Sequence, residues 1–168
     1  MGKNLLCNSV IDAGICRWRT RRLPGFTLLE LLVTMSIVAI LASIAYPVYT
    51  GYVYQAQNET AAADIRAISL KISDYYANNN SYPQSLSQVG YATYADPWGH
   101  PYQYLNIQTA KNRGQMRKDR FLVPINTDYD LYSMGQDGKS VPPLTAAASR
   151  DDVIRANDGA YIGLAYAY

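Results

Sequence analysis

The chain has 168 residues, with 15 Lys and Arg against 13 Asp and Glu, a formal charge of +2. Lys3, Arg17, Arg19, Arg21 and Arg22 lie before Gly25, where Asp12 is the one acid; setting these aside leaves ten basic and twelve acidic residues, a net of −2. The body of the chain is therefore not basic, which excludes a general nucleic-acid binder, and the length fits one domain plus a membrane segment.

Residues 1–24 lack sustained periodicity and read as a flexible cytoplasmic leader. Both cysteines, Cys7 and Cys16, lie here with no nearby His or third Cys to complete a metal site. The rest of the chain has no cysteine, so a small exported domain would need another staple, for which a metal is the usual substitute.

Residues 25–46 read GFTLLELLVTMSIVAILASIAY, with Glu30 the single charge after Gly25. A helix needs about 20 such residues to cross a bilayer. The arginines stand before it and the next basic residue is Arg66, so the body of the chain is expected across the membrane from a cytoplasmic amino terminus. No A-x-A site closes the apolar run, so the helix is expected to stay in the mature protein. A carboxylate at the centre of such a helix costs roughly 2.5–3.5 kcal/mol without a partner. One span is too few for a proton-relaying transporter; Glu30 reads as a group waiting for a cation from another chain, or as a carboxylate near the interface.

GFTLLE followed by an apolar run resembles the class III signal of type IV pilins and pseudopilins. The resemblance implies that a membrane prepilin peptidase cuts between Gly25 and Phe26 and N-methylates Phe26. Glu30 then becomes the fifth mature residue, and Pro47 matches the proline that the family places at the twenty-second. It also implies an α+β, type IV pilin-like fold, in which a long amino-terminal helix, half transmembrane and half amphipathic, packs on a small antiparallel sheet. The domains are then a cleaved leader (1–25), a transmembrane and assembly helix (26–50) and a periplasmic globular domain (51–168). Cleavage creates a cationic amine on Phe26 that methylation leaves charged, and in a filament it would pair with Glu30 of a neighbouring copy.

Helical character continues past Pro47, which predicts a bend or local melting. Ala61, Ile65, Ile68, Ile72 and Tyr75 or Tyr76 recur at spacings of three and four, an amphipathic stripe, and Asn78, Asn79 and Asn80 supply a stop. Residues 81–91 read as a loop with one helical turn. DPWGHPYQYLN, residues 96–106, opens on turn signals and leads into a strand; it resembles the D-P-W-G-x-P-Y-x-Y motif of the major, G-type pseudopilin of type II secretion systems. KNRGQMRKDR, residues 111–120, reads as a solvated basic hairpin loop, with a phosphate or acidic-partner contact as the alternative; it lacks aromatics for base stacking. FLVPIN and DYDLYSMG follow as two strands, Pro124 placing the first at an edge or a bulge. Residues 138–150 form a loop, and a last strand is expected from Ala160.

SMGQDG, residues 133–138, followed by Asp151, Asp152, Val153 and Ile154, resembles the S-x-G-x-D-G segment and later Asp-Ile between which G-type pseudopilins bind calcium. That resemblance implies the carbonyl of Met134, the carboxylates of Asp137 and Asp152, and carbonyls of Ile154 and Ala156 as ligands. Hard oxygen donors suit Ca²⁺. The loop from Lys139 to Arg150 is longer than the family's, which leaves open whether Asp151 or Asp152 points inward.

The resemblance implies a pseudopilin filament subunit of a type II secretion system in the bacterial inner membrane. Its implied partners are further copies of itself, the peptidase, an inner-membrane assembly platform and minor pseudopilins, with no nucleic acid expected. The alternative is a type IV or minor pilin serving adhesion, motility or DNA uptake. A membrane-tethered enzyme is the weakest reading: His100 is the only histidine, read as a surface residue, and no nucleophile–base pair can be built around it.

Overall fold

The computed structural model describes residues 25–168. The leader, with its arginines and cysteines, lies outside the described residues. A helix, α1 (Leu28–Asn79), is followed by four strands, β1 (Gln103–Asn106), β2 (Tyr129–Ser133), β3 (Val153–Ala156) and β4 (Tyr161–Leu164). They form one antiparallel sheet in the order β1-β2-β3-β4. The chain divides into two compact units at Ser43/Ile44, where the sequence placed the domain boundary after residue 50.

In the first unit α1 is apolar on every side, and none of its most apolar window is buried. Its hydroxyls satisfy themselves. Thr34, Ser36 and Ser43 donate to the carbonyls of Leu31, Leu32 and Ile40 at 2.9, 2.8 and 2.7 Å, which lowers the cost of placing these hydroxyls in hydrocarbon. The helix runs unbroken through Pro47, so the local melting expected there is not observed.

In the second unit the helical stripe is the core. Ala61, Ile65, Ile68 and Ile72 are completely buried, packed with Tyr102, Tyr129, Leu131 and Val153. The helix ends where Asn80 takes a left-handed conformation, φ 52°, its N–H bonded to the Tyr76 carbonyl at 2.7 Å. Asparagine tolerates that conformation better than most residues. Because adjacent strand residues face opposite ways, Val153 meets the helix while Ile154 and Ala156 enter a second cluster with Ile125, Leu144 and Ala165. Irregular segments thus cover the sheet face away from α1.

Two expectations are corrected. FLVPIN is not a strand. Asp119 Oδ1 accepts from the N–H groups of Phe121 and Val123 at 2.8 and 2.9 Å, and the Asp119 N–H donates to the Val123 carbonyl at 2.9 Å. A side-chain acceptor has outcompeted a strand partner for these donors, and Pro124 has no donor to offer. The basic stretch 111–120 is not solvated throughout either: Arg117 is 2% exposed. β3 was not anticipated, because Arg155 interrupts a run of only four residues.

Candidate functional site

The first candidate site is the start of α1. Thr27 and Glu30 form a reciprocal cap. The Glu30 N–H donates to Thr27 Oγ1 at 3.2 Å, and the Thr27 N–H reaches Glu30 Oε2 at 3.5 Å. This is the S/T-x-x-E capping box, a signal present in the sequence and overlooked there. The second contact is at the limit of a hydrogen bond, so the Glu30 carboxylate is only lightly engaged and keeps its capacity to accept. Glu30 is exposed, as are Phe26, Leu28, Leu29, Leu31 and Leu32 around it. Each such side chain gains about 1.5–3 kcal/mol from full burial. The surface therefore favours lipid or other apolar helices as its cover, with one acceptor inside it.

The second candidate is where the two carboxy-terminal motifs meet. Asp96 Oδ1 accepts from the N–H groups of Trp98 and His100 at 3.1 and 2.8 Å, and its Oδ2 accepts from Ser133 Oγ. His100 Nδ1 lies 3.1 Å from the Gly135 carbonyl. Gly138 has φ 65°, and a Cβ there would stand 2.7 Å from His100 Nε2. DPWGH and SMGQDG are thus interlocked halves of one corner, and half-buried His100 is a structural member of it.

The five residues expected to hold calcium are placed as follows. Asp152 is the inward carboxylate of the Asp151–Asp152 pair, completely buried. Asp151 Oδ2 instead accepts from the Asp137 N–H at 3.1 Å. Asp137 is exposed, its Oδ1 taken by the Lys139 N–H at 2.7 Å. Met134 follows β2. Ile154 sits in β3 opposite Tyr132 on one side and Gly163 on the other, and Ala156 opposite Tyr161, so both backbones belong to the sheet. Asp152 Oδ2 receives Arg117 Nη2 and, at 2.6 Å, Ser140 Oγ. Burial pushes the Asp152 carboxyl up to about 6, against the pull of Arg117 and Ser140. Among the described residues no three His, Cys, Asp or Glu side chains converge as a metal cluster. Of the expected donor set, the buried Asp152 carboxylate faces the Arg117 guanidinium.

Comparison with known proteins decides the family. Type II secretion system core protein G of Pseudomonas aeruginosa is 31% identical over 140 residues, covering 71% of this chain and 87% of that protein. The protein of the same name from Aeromonas hydrophila is 33% identical over 141 residues, with the same coverage. This chain belongs to the type II secretion core protein G family. The Prokaryotic N-terminal methylation motif matches residues 21–46, the stretch that holds Gly25, Phe26 and Glu30. The family sits within the wider type IV pilin superfamily: type IV major pilin protein PilE of Neisseria gonorrhoeae is 28% identical over 144 residues, 80% of this chain and 86% of that protein. No solved structure matches.

For a core protein G relative, the residue that sequence reasoning missed is Arg117. Nothing in KNRGQMRKDR distinguishes it from its basic neighbours; only the partners it finds from distant segments do.

Proposed function

We propose that this chain is a pseudopilin, a structural filament subunit of a type II protein secretion system and not an enzyme. The chain sits in the bacterial inner membrane by α1, its amino terminus cytoplasmic and its sheet domain periplasmic. Prepilin peptidase cuts between Gly25 and Phe26 and methylates the new amine. The inner-membrane assembly platform, with minor pseudopilins, then draws subunits into a periplasmic filament.

The observation that carries this reading is Glu30, a lightly engaged carboxylate in the otherwise apolar, exposed first part of α1. The amine of Phe26 from an adjacent copy is a cation of the right kind at the right end of the helix. Pairing the two removes the cost of holding either alone in a low-dielectric bundle.

The test is Glu30→Gln in the full chain, expressed with its own secretion genes. Processing should be normal, while cross-linking between copies, through cysteines introduced into a mature chain that has none of its own, should be lost. Wild-type cross-linking by the variant would remove the pairing mechanism. The similarity to PilE favours a second reading, a type IV pilin. Deleting the gene separates them: loss of exoprotein secretion supports the first, loss of twitching or adhesion alone the second.

A further inference from the structure

We propose that the guanidinium of Arg117 is the built-in cation of this domain, closing the loop between β2 and β3 where the family resemblance had placed calcium. The contacts come from three directions. Arg117 Nη1 donates to Ser140 Oγ and to the Val141 carbonyl, both at 2.6 Å, and Nη2 donates to the Asp152 carboxylate. The Tyr132 ring lies 4.1 Å from the guanidinium carbon. A carboxylate, a hydroxyl and a carbonyl are the oxygen donors that a hard metal ion would take; here they meet a planar, permanently charged fork whose donors are directional.

The backbone delivers the side chain to that spot. The Arg117 N–H donates to Asp130 Oδ2 on β2 at 2.7 Å, and its carbonyl accepts from the Ile125 N–H at 3.1 Å. Next along, the Lys118 N–H donates to the Pro142 carbonyl and the Leu144 N–H to the Lys118 carbonyl, each at 2.9 Å. Lys118, next to Arg117, is thus tied by both of its backbone groups to the loop that carries Ser140 and Val141. The pair's remaining atoms, Arg117 Nε and Asp152 Oδ1, are buried without a hydrogen-bond partner. A divalent ion at that Oδ1 would stand beside the guanidinium and be repelled by it, with little solvent screening. The extended loop that departs from the family pattern is the one whose Ser140 and Val141 bind the arginine.

The experiment uses the full chain in detergent, melted in excess calcium and in excess EGTA, with trypsin cleavage after Lys139 and Arg150 as a second readout. The wild type should melt at one temperature in both, and the loop should be cut equally slowly. Arg117→Gln should melt about 10 °C or more lower and be cut faster. Calcium raising the wild-type melting temperature, or slowing its cleavage relative to EGTA, overturns the proposal; so does an Arg117→Gln variant that melts with the wild type. If Arg117→Gln does not fold, the wild-type comparison decides alone.

Discussion

At the residue scale, Glu30 has Thr27 as its partner. Within its own chain it closes the cap with Thr27, the Glu30 N–H to Thr27 Oγ1 bond being the stronger half. Thr27→Ala, which removes that half, should cost about 0.5–2 kcal/mol of local helix stability. Amide exchange in the first turn of α1 should quicken while cleavage after Gly25 proceeds. Gly25 carries a different demand. A Cβ there meets nothing within 4 Å in the folded chain, so a Gly25→Val variant should fold as the wild type does. On the proposed peptidase reading it should nonetheless run as a larger, unprocessed membrane band. Normal processing of that variant would end the peptidase reading. Half-buried Asp64 joins two tyrosines beside the core, accepting from Tyr94 Oη at 3.0 Å and from Tyr102 Oη at 2.9 Å. Hydrogen bonds to a charged acceptor contribute roughly 1.5–3 kcal/mol each, the exposed Tyr94 bond less.

At the element scale, α1 passes from lipid-seeking to core-forming without a break. Its four fully buried stripe residues are the strongest handle on the fold. Ile68→Ala removes a side chain that is 0% exposed and should cost about 2–5 kcal/mol, read as a lower denaturant midpoint; a loss under 1 kcal/mol would mean that the stripe does not hold the sheet. The turn at 119–124 gives a prediction of opposite sign. Leu122 has φ 62°, a conformation costing a non-glycine residue about 1–2 kcal/mol, and its side chain is 63% exposed. Leu122→Gly should therefore leave stability unchanged or raise it, although glycine usually weakens a loop through the unfolded chain. A clear drop in melting temperature would show that the strain is not there.

At the scale of the whole molecule, the tyrosines set an alkaline limit. Burial raises the phenol pKa values of Tyr102 and Tyr104 well above the usual tyrosine range; the charge and hydrogen bond of Asp64 add to the first, and the neighbouring Tyr129 to the second. In the unfolded chain both lose their protons near pH 10. Above that pH the native state holds more protons than the unfolded one, so stability is full below about pH 10 and declines as pH rises. Melting temperatures should fall from that point, and the phenolate absorbance of these two residues should appear only on unfolding. A phenolate signal near pH 10 from Tyr102 or Tyr104 in the folded protein would contradict this.

What residue order alone made legible was local and periodic. An apolar run of bilayer length, one acid inside it, and an isoleucine stripe at helical spacing are read without knowing what lies opposite, because a helix repeats its faces every few residues. The existence of β2 was legible too, but not that both of its faces are covered, Tyr129 and Leu131 on the α1 side and Asp130 fully buried on the other. What only the tertiary structure decided depends on partners far apart in the chain. Asp119 capturing the donors of a would-be strand, His100 locked against Gly135, and Arg117 meeting Asp152 are choices that a charged or polar side chain makes by proximity. The free energy of burying a charge is set by the counter-charge that the fold brings to it.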